Sequence, residues 1–217
     1  MYKTVVFDLD GTLLNTLTDL ADAGNRLCRK YGWPTHERQA YRYFVGNGIP
    51  KLVERLAPAD QRTPAVLEAA LADFKRDYGQ HLRDTTAPYP GIPEMLAKLK
   101  ANGVQLAVFS NKADALAKEV VKDYFGTQYF TIVRGQMTGV APKPAAEGTN
   151  ALLQALHADP ASTLYVGDSN VDVETAHNAN LPCCGAVWGF RTREELNAAG
   201  AEYLAENSDE LDRKSVV

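Results

Sequence analysis

The chain has 217 residues, 45% of them hydrophobic and 23% charged, with 16 Gly and 11 Pro, the composition of a globular protein with a substantial core in one large domain or two modest ones. A formal net charge of −4 and a pI near 5.6 argue against a broad basic track for nucleic acid. No apolar run approaches the roughly 18 residues of a membrane span, and Met1-Tyr2-Lys3-Thr4, leading into a short apolar run and then acids, is unlike a signal peptide.

Residues 5–7, Val-Val-Phe, end at Asp8 and meet Gly11, which predicts a buried strand feeding a turn. The next stretch is helical. Leu17, Leu20, Ala21, Leu27, Cys28 and Tyr31 form one stripe, closed by Gly32 and Pro34. Pro50 suits a first helical turn ahead of Leu52, Val53 and Leu56, and Thr63-Pro64 opens a long helix with Leu67, Leu71, Phe74, Tyr78 and Leu82 on its apolar face. The segment from Thr85 to Gly91 is rich in turn residues and reads as a hinge. Strands are then predicted at 104–109 (ending at Ser110), 130–133, 164–166 (ending at Gly167-Asp168) and 184–188. Helices are predicted at 116–124 (stopping before Gly126), 145–156 and 171–180, the last with Asp172 and Glu174 at its positive end. Apolar strands alternating with amphipathic helices imply an α/β fold, a parallel sheet covered on both faces, with a helical insertion after the first strand. Cys28 and the adjacent Cys183 and Cys184 read as buried thiols of a cytoplasmic protein rather than a disulfide framework.

In an open parallel sheet the strands deliver their last residues to one edge, where ligands bind. Three strands here end in polar groups: Asp8 with Asp10, Ser110 with Asn111, and Asp168 with Ser169. Asp8-Leu9-Asp10-Gly11-Thr12 supplies two carboxylates, one able to act as nucleophile and the other to exchange a proton with a leaving group or water. The same residues also suit an acidic Asx-type turn. Ser110-Asn111-Lys112 offers a hydroxyl and successive N–H groups, either a cradle for phosphate oxygens or a plain helix cap. Lys143, between Pro142 and Pro144, is a solvated loop charge or the cation that offsets a carboxylate meeting a phosphate. Asp168 suits a hard cation, while Asp172, one turn on, suits orienting a ligand or Lys143, with helix capping as the other reading of both acids. Strand-end carboxylates without clustered His or Cys point to Mg2+ rather than zinc. His36, His81, His157 and His177 are scattered and read as surface or structural.

Through these segments the chain resembles the haloacid dehalogenase superfamily, in its phosphoglycolate phosphatase-like branch. Phe7-Asp8-Leu9-Asp10-Gly11-Thr12-Leu13 is similar to the first family motif, Ser110-Asn111-Lys112 to the second, Lys143-Pro144 to the third, and Gly167-Asp168-Ser169 with Asp172 to the fourth. The resemblance spans nearly the whole chain and implies a Rossmann-like core of residues 1–15 and 86–217, with an all-helical cap at 16–85. It implies a Mg2+-dependent phosphatase in which Asp8 is nucleophile and metal ligand, and Asp10 is general acid/base and binds the metal through its backbone carbonyl. Ser110, Asn111 and Lys143 would hold the phosphoryl oxygens, Asp168 would complete the metal site, and Asp172 would lie near Lys143 or a metal-bound water. Asp10 matters for the branch, because the halide-removing members lack an acid there and the ion-pumping members carry Lys. Gly46-Asn47-Gly48 resembles a cap loop facing the active site, with Lys51 and Arg42 the nearby candidates to meet a substrate carboxylate. Asn15, Ala146 and Pro50 depart from common family residues, which leaves fine specificity open.

The expected partner is a small phosphorylated metabolite, phosphoglycolate being the one the resemblance suggests, and neither nucleic acid nor membrane. A sugar phosphomutase, a pyrophosphatase or a nucleotidase of the same superfamily are the alternatives. A catalytically idle binding protein on this fold is a reading of a different class, against which the intact Asp8, Asp10, Lys143 and Asp168 argue. Monomer and dimer remain open.

Overall fold

The computed structural model describes residues 2–216. In chain order the elements are β1 (Thr4–Phe7), β2 (Leu14–Asn15), α1 (Leu17–Tyr31), α2 (Arg38–Phe44), α3 (Ile49–Leu56), α4 (Pro64–Gln80) and β3 (Ala87–Pro88). Then come α5 (Ile92–Ala101), β4 (Gln105–Ala113), α6 (Asp114–Phe125), β5 (Phe130–Gln136), α7 (Ala146–Leu156) and β6 (Thr163–Gly167). The chain continues with α8 (Asn170–Asn178), β7 (Cys183–Ala186), α9 (Arg193–Ala198), β8 (Tyr203–Ala205) and α10 (Ser208–Val216).

Six strands form one parallel sheet in the order β5-β4-β1-β6-β7-β8, which puts the first strand in the middle. Its register pairs Val6 with Ala107 on one side and with Tyr165 on the other. A strand buried on both faces has to read as a continuous apolar run, as Val5-Val6-Phe7 does. Side chains alternate across it: Val5 and Phe7 join one core with Leu96, Leu99 and Val120, and Val6 joins the other with Leu152, Leu153 and Leu156. Each such side chain contributes on the order of 1.5–3 kcal/mol by leaving water. The rigid centre of the sheet is thus the strand that ends at Asp8.

Helices α1 to α4 lie between the first strand and the rest of the sheet's chain. Helix α1 buries Leu20, Ala21, Leu27 and Cys28 and ends at Gly32 in the left-handed region (φ 68°), the backbone that glycine adopts without strain. Thr63 caps α4 by accepting from the Val66 amide at 3.4 Å, with Pro64 in the first turn. The two connections meet in a small antiparallel ribbon, Leu14 opposite Pro88 and Asn15 opposite Ala87. They are clasped by Asp19, whose Oδ1 accepts from the Thr85 amide (2.9 Å) and hydroxyl (2.5 Å) and whose Oδ2 accepts from the Thr86 amide (2.9 Å) and hydroxyl (2.7 Å).

Several elements differ from the sequence-based expectation. The strand expected at 184–188 is Cys183–Ala186, because Gly189 and its neighbours turn back toward Asp168. Strand β4 runs past Ser110 to Ala113, through a register shift against β5. Helices α2, α5, α9 and α10 and the edge strand β8 carry no pattern that singled them out. Cys28, Cys183 and Cys184 are buried and form no disulfide. No helix among the described residues is long and apolar enough to cross a membrane.

Candidate active site

The site grows from the carboxyl edge of the sheet. The Asp8 amide donates to Val166 O (2.8 Å), which extends the β1 ladder by one residue and fixes where Asp8 leaves the strand. The chain then folds back at once: the Leu13 and Leu14 amides both donate to Leu9 O at 3.0 Å, and the Gly11 amide donates to Leu14 O at 2.8 Å. Gly11 sits at φ 92°, and any β-carbon there would run into the Asp168 carboxylate. Glycine is needed on both counts. Thr12 donates its hydroxyl to Asp168 Oδ1 (3.1 Å), and the Phe190 amide donates to Asp168 Oδ2 (2.7 Å).

Asp172 caps its helix and also meets Lys143. Its Oδ2 accepts from the Ser169 amide (3.1 Å) and hydroxyl (2.7 Å) at the start of α8, and its Oδ1 accepts from Lys143 Nζ (2.7 Å). Lys143 also donates to Tyr165 Oη (3.2 Å) and Phe109 O (3.3 Å) and lies 2.9 Å from Asp8 Oδ1. That last approach falls outside hydrogen-bonding geometry, so Asp8 Oδ1 is a buried oxygen without a hydrogen-bond donor.

One carboxylate oxygen from each of Asp8, Asp168 and Asp172 lies within 4.8 Å of the other two. At an effective dielectric of about 20, each pair of like charges at such a distance repels by about 3–4 kcal/mol. One ammonium is too little charge to offset three carboxylates. Burial pushes Asp8 up to about 7 against the pull of Lys143, with Asp172 and Asp10 adding to the rise. Burial, then Asp172 and Asp8, carry Asp168 well above the usual carboxylate range. Burial would lower Lys143, but Asp172 and Asp8 hold it well above its ordinary value. An oxygen-only donor set, excess negative charge and an unsatisfied Asp8 oxygen together fit a hard divalent cation.

Beside Asp8 lies a cavity of about 40 Å³ lined by Asp10, Ser110, Lys112, Tyr78 and the apolar side chains of Leu20, Val45, Ile49 and Leu52. A wider cleft of about 730 Å³ opens next to it, between α3 and α4 on one side and Gln136, Pro142 and Lys143 on the other. Gly48 and Asn111 border both.

Residues 5–186 match the family profile of haloacid dehalogenase-like hydrolases. The chain belongs to this family. The haloacid dehalogenase-like chain is 31% identical over 191 residues to a phosphoglycolate phosphatase of Thiobacillus denitrificans, covering 87% of this chain and 84% of that one. It is 32% identical over 212 residues to a phosphoglycolate phosphatase of Pseudomonas putida, covering 94% and 76%. Among solved structures, a candidate phosphoglycolate phosphatase from Lactobacillus delbrueckii subsp. bulgaricus superposes with a TM-score of 0.93 at 28% identity, over 99% of this chain and 98% of that one.

Within this haloacid dehalogenase-like hydrolase, Asp8, Asp10, Ser110, Asn111, Lys143, Asp168 and Asp172 all gather at one sheet edge. The Asn111 side chain is used structurally. It donates to Gly46 O (3.0 Å) and Lys143 O (3.2 Å) and accepts from the Lys143 amide (2.8 Å), tying the two loops together. Gly46 and Gly48 face the cavity, whereas Asn47 borders the wider cleft and accepts from Arg55 at 2.9 Å. Of the two candidates to meet a substrate carboxylate, Lys51 borders the wider cleft and Arg42 is engaged elsewhere. Arg42 donates to Gly189 O and Phe190 O, both at 2.7 Å, and Lys51 pairs with Glu54 on the surface. The histidines stay away from the site; His81 meets Asp84 and His177 meets Glu202.

The cavity is also lined by Lys112 and Tyr78, for which the sequence pattern offers no role in a site. Lys112 Nζ contacts Asp10 Oδ1 at 3.0 Å and Oδ2 at 3.3 Å and donates to Tyr78 Oη at 2.9 Å. Burial would lower its pKa, but Asp10 and Tyr78 raise it above the ordinary lysine value. A lysine inside the second motif was there to be read; what the sequence lacked was any sign that its ammonium turns inward.

Proposed function

We propose that this hydrolase is a Mg2+-dependent phosphatase of small phosphate monoesters that carries the phosphoryl group on Asp8. The observation that carries the reading is the Asp8 carboxylate, buried among Asp168, Asp172 and Lys143 beside the small cavity, with one oxygen lacking a hydrogen-bond donor. Asp8 and Asp168, with the backbone carbonyl of Asp10, would hold Mg2+, which when bound offsets carboxylate charge and polarises the phosphoryl group. Asp8 attacks phosphorus from the fixed end of β1. Ser110 and Lys143 hold the phosphoryl oxygens, and Asp172 keeps the Lys143 ammonium in place. Asp10 gives a proton to the leaving oxygen and later takes one from the attacking water.

Substrate size follows from the cavity. Room of about 40 Å³ is far below the roughly 300–1,000 Å³ of ordinary ligand sites. The insertion at 16–85 therefore acts as a cap, which has to open toward the wider cleft to admit substrate and closes on a small leaving group. The relatives named phosphoglycolate phosphatases support 2-phosphoglycolate as the substrate, and the three buried thiols suit a cytoplasmic setting. The test is phosphate release from phosphoglycolate, sugar phosphates, nucleoside monophosphates and pyrophosphate, with Mg2+ and with chelator. Activity should vanish in chelator and return with Mg2+, and phosphoglycolate should rank first by kcat/KM. Full turnover in chelator removes the metal from the account, and a nucleotide or pyrophosphate ranking first removes phosphoglycolate.

A further inference from the structure

Lys112 is only 3% exposed in its side chain, and its acceptors come from two directions. Asp10 belongs to the loop after β1, and Tyr78 belongs to the end of α4 in the helical insertion. The ammonium also lies 5.0 Å from the centre of the Tyr78 ring. An ammonium has three protons, and here they face the two Asp10 oxygens and the tyrosine hydroxyl. Lys112 thereby joins Asp10 to the helical insertion. It is suited to hold the Asp10 carboxyl at one place on the cavity wall, since both line the cavity beside Asp8.

The position of Tyr78 adds a second condition. The tyrosine is fully buried and packs against Phe74 at 5.6 Å between ring centres, so its hydroxyl moves with α4. Were the insertion to open, the hydroxyl would leave Lys112, and a buried ammonium would lose one of its acceptors. Its hold on Asp10 would then change with the opening.

We propose that Lys112 is a positioning residue for Asp10, and that Tyr78 makes this placement depend on closure of the helical insertion. The inference rests on the phosphatase reading with Asp8 as nucleophile. In the first half-reaction the bond from an Asp8 oxygen to phosphorus forms as the bond from phosphorus to the leaving oxygen breaks, and the Asp10 carboxyl proton goes to that oxygen. In the second half, the Asp10 carboxylate takes a proton from water as the water oxygen bonds to phosphorus and the Asp8 oxygen departs. Lys112 enters neither transfer; it sets where the Asp10 oxygens stand in both.

The test compares kcat/KM for an alkyl phosphate, whose leaving oxygen needs a proton, with that for 4-nitrophenyl phosphate, whose leaving group departs without one. Because kcat/KM covers the steps through loss of the leaving group, it isolates the first transfer. Positioned proton transfer is worth about 10²–10⁴-fold, so Lys112→Met should lower the alkyl value by about 30-fold or more while the nitrophenyl value falls by less than about threefold. Tyr78→Phe, which keeps the ring and deletes one oxygen, should show the same selectivity at about five- to tenfold, as a part of that proton-transfer effect. Lys112→Arg should recover part of the alkyl rate. Tyr78→Phe decides the matter if Lys112→Met fails to fold. Equal losses on both substrates, or no loss on either, overturn the inference while leaving the phosphatase reading intact. A wild-type protein that hydrolyses neither ester overturns both.

Discussion

Lys143 and Lys112 are both buried and each meets a carboxylate of the first loop, but the architecture holds them differently. The partners of Lys143 all come from the sheet and its own helices: Asp8, Asp172, Tyr165 and the Phe109 carbonyl. Those of Lys112 come half from the sheet and half from the insertion, Asp10 on one side and Tyr78 on the other. The first lysine is therefore fixed by folding, whereas the second is complete only when α4 lies against the core. On the proposed reading, Lys143 would belong to a phosphoryl site that is ready before closure, and Lys112 to proton chemistry that waits for it.

The sharpest way to break this contrast is at Lys143. Lys143→Met leaves three buried carboxylates without their ammonium, and breaking a buried pair in this way typically costs about 3–5 kcal/mol of stability. Losing a preorganised donor to the phosphoryl oxygens should also cost about 10²–10³-fold in kcat. Because a divalent cation then becomes the sole counter-charge, added Mg2+ should raise the melting temperature of the variant by more than that of the wild type. Equal Mg2+ shifts in the two proteins would separate the metal from this cluster.

The clasp at the base of the insertion comes next. Asp19→Ala deletes four acceptor contacts to Thr85 and Thr86 and should cost about 3 kcal/mol in chemical denaturation, since buried donors are left unpaired. An unchanged midpoint would show that the ribbon of β2 and β3 alone sets the hinge.

Much of the core site was legible because it depends on local order along the chain. An apolar run that stops at an acid predicts both a strand and the place where that acid appears, which identifies Asp8 and Asp168. The flanking prolines of Lys143 leave a solvated loop charge and a site cation both open, and only its place in the motif series favours the site. The insertion's contacts with the core were not legible, because they join residues far apart. Tyr78 reads correctly as part of an apolar helix face, yet its hydroxyl finds a lysine 34 positions away. Arg42 reads as a candidate for a substrate carboxylate, yet it reaches Gly189 and Phe190, nearly 150 positions on. Periodicity reports which face of a helix is buried and says nothing about the polar atom at the tip of a side chain.

The smallest expected effect tests that Arg42 contact. Arg42 fastens α2 to the loop whose Phe190 amide holds Asp168, and Arg191 returns a hydrogen bond to the Arg42 carbonyl. Arg42→Ala removes two charge-assisted hydrogen bonds at a half-buried position and should weaken closure by about 1–2 kcal/mol. A rise of several-fold in KM with little change in kcat is the expected signature. A fall in kcat at constant KM would place Arg42 with the chemistry rather than with closure.

If Asp8 carries the phosphoryl group, acid quenching of the enzyme during turnover of 4-nitrophenyl phosphate with Mg2+ should trap it there. Peptide mass spectrometry should find the mass of one phosphoryl group on the peptide containing Asp8, at higher occupancy in Asp10→Asn, where water attack is slowed. Asp8→Asn should show neither label nor phosphate release. Continued phosphate release by Asp8→Asn, or a label that maps to another residue, would contradict the account.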